Sequence, residues 1–217
     1  MEVLSVVDLV RKNIRNSIIT GEFEPGMQLK EEELCKKYGI SRPPIREAFK
    51  MLEADGLVIR KPRRGVYVSE FNEKDIWEIY TLVAALYRMG AILAIDAMNE
   101  KNVKKLSSFV DQMSKCVASK QFKLKKYQKA HREFHEFIIV LSGNERLKSL
   151  EANLRYQISL INYKSLQNAE HVKASLQYHQ EIIEALENQE KEKTLALMEE
   201  HVMYALSFVL KTLPITK

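Results

Sequence analysis

Residues 29–68 read LKEEELCKKYGISRPPIREAFKMLEADGLVIRKPRRGVYV. In Gly39-Ile40-Ser41, the glycine supplies a left-handed backbone that ends a helix over 31–38, and Ser41 is placed to cap the helix that follows. Pro43 and Pro44 fall in the first turn of that second helix, where a missing N–H is tolerated. Arg42 and Arg46, four residues apart, project from one N-terminal face, and Lys50 extends the stripe by a turn. Ile45, Ala48, Phe49 and Leu52 follow helical spacing on the opposite face, with Leu34 of the preceding helix to pack against them. After Gly56, residues 57–60 and 66–69 read as two strands joined by Lys61-Pro62-Arg63-Arg64-Gly65. A short helix, a tight turn, a basic helix and a basic hairpin make a winged helix-turn-helix. In that motif the start of the second helix meets base edges. Arg60, Lys61, Arg63 and Arg64 are placed for phosphate or minor-groove contact.

Charge points the same way. Residues 36–64 hold nine basic side chains against three acidic ones (Glu47, Glu53, Asp55), a local excess of six in a chain whose whole net charge is +5. Positive charge concentrated in the reading segment suits a polyanionic partner, double-stranded DNA.

The stretch ITGEFEPGMQLKEEELCKKYGISRPPIREAFKMLEADGLV, continued by RRGVYV, resembles the winged helix-turn-helix of GntR-type bacterial transcription regulators, which often read G-x-x-x-P-G-x-x-L-x-E-x-x-L-A and G-V-S-R-T-P-V-R-E-A-L. Carried across position by position, the resemblance implies that Arg42 and Arg46 are the base or backbone readers and that Gly65 is the wing glycine; Ser41, Lys50, Arg63 and Arg64 complete the set expected to face DNA. Pro43 stands where the family commonly has Thr or Ser, so a hydroxyl that could bond a phosphate is missing.

At 217 residues and 46% hydrophobic, the chain can bury a core in one domain or two small ones. Neither a basic, apolar leader nor an uninterrupted apolar run of membrane-spanning length is evident, which predicts a cytoplasmic protein away from membranes. Cys35 and Cys116 lie far apart, so a disulfide framework is not expected. From residue 72 onward the only glycines are Gly90 and Gly143 and the only proline is Pro214. The rest is rich in Leu, Ala, Glu, Lys and Ile, which reads as all-helical, with helices near 73–98, 102–118, 123–141, 145–166, 171–188 and 190–211. The expected organisation is therefore a mainly α chain: a DNA-binding domain over 1–70, a linker at 71–73 and a helical bundle over 74–217.

Histidines carry the chemistry of the bundle. His131 and His135 lie one helical turn apart on one face, and His179 and His201 fall in the last two helices, so a bundle can bring all four to one metal ion. His171 lies near a helix start and is expected to be exposed. The bundle resembles the FCD effector domain of FadR-like regulators: HREFH followed by SGNERL matches D-x-x-F-H and S-G-N-x-x-L, and YHQEIIEAL followed by MEEHV matches H-x-x-I-x-x-A-I and M-x-x-H-L. That resemblance implies a metal held through an Asp-x-x-x-His pair and two later histidines, an organic-acid effector, and a homodimer acting as a repressor. His131 takes the aspartate position, which gives four neutral nitrogens suited to zinc or nickel over magnesium, calcium or manganese; the competing reading leaves His131 out and uses three ligands. Where the family reads R-x-x-L-E, this chain has Val83-Ala84-Ala85-Leu86-Tyr87, which removes both charges; Arg88 points elsewhere. Tyr87, Asn153, Tyr156, Gln157 and Tyr163 are candidate effector contacts.

Three functions stay open at this point: a regulator that holds an organic acid at a metal, a direct metal sensor, and a metalloenzyme fused to a DNA-binding module. A zinc protease needs His-Glu-x-x-His, and in His131-Arg132-Glu133-Phe134-His135 the glutamate is two residues on, about 200° around the helix. No phosphate loop, nucleophile elbow or Cys–His pair accompanies it, so an enzyme is not expected.

Overall fold

The computed structural model describes residues 5–212; Pro214 and the end of the predicted bundle lie outside them. The chain divides between Phe71 and Asn72 into two compact units. In the first, α1 (Val6–Ile19) starts at Ser5, whose hydroxyl accepts the Asp8 N–H at 3.1 Å, and it buries Val10, Ile14 and Ile18 at i, i+4 and i+8 against α3. The motifs read from the sequence assign no element here. α2 (Glu31–Tyr38) ends where Gly39 takes φ 66° and the Ile40 N–H returns to the Cys35 carbonyl at 3.2 Å. α3 (Arg42–Ala54) follows, with Ile45, Ala48, Phe49 and Leu52 fully buried.

Ser41 occupies the N-cap position, but its hydroxyl makes no capping bond. A cap hydroxyl accepts from the second or third N–H of the helix. Here those residues are Pro43 and Pro44, which have none.

The sheet is three-stranded and antiparallel, in the order β1 (Gln28–Leu29), β3 (Gly65–Val68), β2 (Val58–Lys61). Its hairpin lies one residue off the predicted limits, and β1 is an addition, pairing Gln28 with Tyr67 and Leu29 with Val66. Arg11 of α1 grips Asp55 at the end of α3 through Nη2–Oδ1 at 2.7 Å and Nε–Oδ2 at 3.1 Å, which fastens the first helix to the second helix of the motif.

The second unit is helical: α4 (Glu73–Ala94) with a 3-10 turn at Ile95–Ala97, α5 (Glu100–Val117), α6 (Leu124–Leu141), α7 (Glu145–Ser165), α8 (Ala169–Glu187) and α9 (Lys191–Thr212). Its breaks fall where expected, and side chains make most of them. Asn72 and Asp75 form a reciprocal capping box at the start of α4. Asn99 caps α5, Gly143 at φ 64° precedes Asn144, whose side chain caps α7, and Asn168 caps α8.

α4 packs against α6, α7 and α9 at the centre of the unit. Gly90 lies where α4 passes α6: a Cβ there would come within 2.5 Å of Ile139 Cδ1. Glu73–Ala97, although interrupted by charges such as Glu78 and Arg88, is long and apolar enough by length and composition to cross a membrane, yet half of its most apolar stretch is buried inside the unit, as in a core helix.

Candidate metal centre and nucleic-acid surface

In the first unit Ser41, Arg42, Arg46, Lys50, Arg60, Arg63, Arg64 and Gly65, all expected to face DNA, are exposed, and Lys61 is half-buried. They are not equivalent. Arg46 Nε donates to both carboxylate oxygens of Glu31, and Lys50 pairs with Glu47 at 2.8 Å. Arg63 and Arg64 have no carboxylate partner among the described residues. The wing tip is built to hold them: Arg63 takes φ 60°, Gly65 takes φ 108°, and the Arg64 carbonyl accepts from Gln28 Nε2 at 2.7 Å and from the Tyr67 hydroxyl at 3.2 Å. Lys61 lies over the Tyr67 ring, 4.7 Å from its centre. β1 therefore supplies Gln28, the brace of the basic loop.

In the second unit, α6 brings His131 and His135 to the centre of the bundle, α8 brings His179 and α9 brings His201. One ring nitrogen from each lies within 4.8 Å of all the others. His135 Nε2 is 3.2 Å from His179 Nε2 and 3.3 Å from His201 Nε2. Two nitrogens bound to one tetrahedral ion at about 2.0–2.1 Å lie about 3.3 Å apart, so the spacing is that of ligands sharing a cation.

The protonation pattern agrees. His179 Nδ1 donates to the Ser175 carbonyl, which fixes the tautomer and turns its Nε2 lone pair toward His135. Nδ1 of His135 and of His201 has no partner among the described residues. Converging imidazole nitrogens cannot all satisfy one another, because a neutral imidazole carries one N–H and His135 Nε2 can donate to His179 or to His201 but not to both. Burial, reinforced by the neighbouring imidazoles, holds His131, His135 and His201 well below the usual histidine range, and burial lowers His179 to about 4. The set is neutral and ready to donate.

A cavity of about 40 Å³ adjoins the cluster. Tyr87 reaches it as expected, where its ring stacks flat on His135 at 4.4 Å and 4°. Asn153, Tyr156, Gln157 and Tyr163 do not line it. The inward stripe of α7 is instead Arg155, Ile158, Ser159 and Asn162, and 156 and 157 lie about 100° and 200° around the helix from Arg155.

The polar wall was not legible in the sequence. Arg155 is shared by buried Glu151 and by Glu136 at 2.7 Å. Tyr80 donates to Asn162, and Gln128 donates to the Ser159 carbonyl at 2.9 Å. Arg132 lines the cavity without a hydrogen bond or ion pair among the described residues. Arg88, by contrast, pairs with Glu199 on the surface at 2.6 Å. His171, expected to be exposed, is only 2% exposed and lines the cavity. It is the third residue of α8, and the side of that turn which it occupies faces Tyr204 and Phe208 of α9. Its place near a helix start says which turn it is in, but not which side of that turn faces the bundle.

Residues 7–68 match the bacterial regulatory proteins of the gntR family, and residues 78–203 match the FCD domain. The HTH-type transcriptional regulator YdhC of Bacillus subtilis (strain 168) is 30% identical over 182 residues, 82% of this chain and 80% of its own length. The HTH-type transcriptional repressor RspR of Escherichia coli (strain K12) is 23% identical over 87% of this chain and 82% of its own length. A crystal structure of a GntR transcriptional regulator from Rhodococcus sp. RHA1 superposes with a TM-score of 0.82 at 23% identity, covering 97% of this chain and 100% of that one.

Proposed function

The chain belongs to the gntR family of DNA-binding transcription regulators and carries an FCD domain, and from that premise we propose that it is a metal-dependent repressor controlled by a short carboxylic acid. The observation that carries this reading is the convergence of four imidazoles, three of them buried and that of His131 half-buried, with nitrogen spacings of 3.2 and 3.3 Å beside a cavity lined by Arg132, which has no ion pair among the described residues. A divalent transition ion, zinc or nickel, supplies there a positive charge for a carboxylate oxygen. The protein's own residues do the rest. Ser175 orients His179, Tyr87 holds the plane of His135, and Arg132 offers a guanidinium fork to an anion.

The volume limits the ligand. The cavity is small, about 40 Å³, so the acid is compact. Repression is supported by the similarity to the E. coli transcriptional repressor RspR. We place the protein in the cytoplasm as a homodimer on a two-fold symmetric operator. Such a dimer must fit two recognition helices to successive major grooves, so a ligand that changes their spacing changes affinity.

The test begins with DNA fragments selected by the protein from a random pool. Binding is then titrated with chelator, with zinc or nickel, and with short acids on the metal-loaded protein. A response that needs both metal and acid supports the reading. Metal alone switching DNA binding in full would make the protein a direct metal sensor, and turnover of an acid would make it an enzyme.

A further inference from the structure

His171 is the fifth histidine, and the metal reading does not use it. It is buried, it lines the cavity, and its buried Nδ1 has no hydrogen-bond partner among the described residues. Its ring is fixed all the same. Tyr204 stacks on it at 5.9 Å and 16°, Phe208 packs at 4.7 Å, and its backbone N–H is held by the Asn168 cap at 3.2 Å. Buried polar groups are nearly always hydrogen-bonded, and an exception calls for a reason. Packing alone does not give one, since a phenylalanine would fill an aromatic niche without bringing two polar nitrogens into it.

Most other polar groups of the wall are engaged: Tyr80 with Asn162, Gln128 with Ser159, and Arg155 with Glu151 and Glu136. Beyond the four clustered imidazoles, Arg132, His171 and the Tyr87 hydroxyl are left with hydrogen-bonding capacity to offer an occupant.

We propose that His171 is a specificity-determining residue of this cavity: it hydrogen-bonds a second polar group, a hydroxyl or a second carboxylate, on an acid whose first carboxylate is held by the metal and Arg132. The assignment rests on the acid-sensing reading above and adds its substrate class, short hydroxy acids and dicarboxylates over simple monocarboxylates. A neutral imidazole is donor at one nitrogen and acceptor at the other, so it serves either group. A site with a buried polar partner discriminates against the analogue that leaves that partner unpaired.

Calorimetry on the zinc-loaded full chain, with acetate, glycolate and malonate as probes, tests this. The parent binds glycolate or malonate at least tenfold tighter than acetate. His171→Phe, which keeps the ring stack and deletes both nitrogens, brings the three acids within about twofold of one another without changing zinc stoichiometry, and His171→Gln restores part of the preference. If His171→Phe keeps the parent's preference, or if the parent itself binds the three acids alike, His171 is not the reader and the acid-sensing function stands. If the zinc-loaded parent binds none of the acids at millimolar concentration, the acid-sensing reading falls and this assignment with it. The parent's preference needs no variant to fold, so the assignment can fail on that measurement alone.

Discussion

Arg46 of α3 and Glu31 of α2 are joined across the turn, with the arginine Nε donating to the two carboxylate oxygens at 3.0 and 2.9 Å. The side chain proposed to read the operator is thus already held before DNA arrives, and its Nη groups are left to face a base. An exposed pair of this kind adds at most about 1 kcal/mol to stability. Its value lies in orientation.

Arg46→Ala is therefore expected to lower affinity for the selected operator by about 1–3 kcal/mol and to relax sequence preference at one position, whereas Arg64→Ala weakens all sequences alike and reduces the salt slope by about one. Electrophoretic shifts on operator and scrambled duplexes at several salt concentrations distinguish the two. Equal loss on both duplexes for Arg46→Ala removes it from the base-reading role.

Saturating zinc is expected to stabilise the parent protein by about 2.7 kcal/mol at one hundred times the dissociation constant, and chelator reverses this. His135→Ala and His179→Ala abolish the shift. His131→Asp keeps a site but moves its preference toward manganese, because a carboxylate replaces an imidazole. Thermal melts with each metal give the answer, and a parent-like zinc shift in His135→Ala would count against the cluster.

Glu151 is buried beside Arg155, and removing it leaves a largely buried guanidinium with only the more exposed Glu136. Glu151→Ala is expected to cost about 3 kcal/mol or more. Glu136→Ala costs much less, since that carboxylate is 40% exposed. Urea denaturation of both variants checks the order.

His171 has a folded-state value lowered to about 4 by burial, against 6.5 when unfolded. Between those values the unfolded chain binds the proton and the folded one does not. Its contribution is fully present above pH 6.5 and is lost as pH falls toward 4. The metal-free protein is therefore expected to lose up to about 1.4 kcal/mol per pH unit from this group in that window. His171→Phe lowers the slope of stability against pH by that share, and an unchanged slope would show that the imidazole is not buried as described.

Gly39, the prolines of α3 and the asparagine caps make most helix limits readable, because each acts through its own backbone or its near neighbours. The four clustered histidines are readable for a related reason: two share a turn and two sit on consecutive antiparallel helices. What escapes the sequence depends on helix phase across the bundle. On α7 the expected contacts Tyr156 and Gln157 sit one and two positions beyond Arg155, which is the residue that turns inward. His171 is likewise expected at the surface and found in the cavity wall. In both helices the inward side is set by packing that spacing along the chain does not encode.

Gly90 has a consequence for how the bundle holds its aperture. A glycine in mid-helix gives up about 1 kcal/mol of intrinsic helix stability relative to alanine. In return, the backbone of α4 runs close beneath Ile139 on the helix that carries His131 and His135. The gauge of the imidazole cage is thus set in part by a side chain that is missing, and a single methyl at that spot would have to displace the end of the Ile139 side chain, one helical turn beyond His135, without touching any member of the cage.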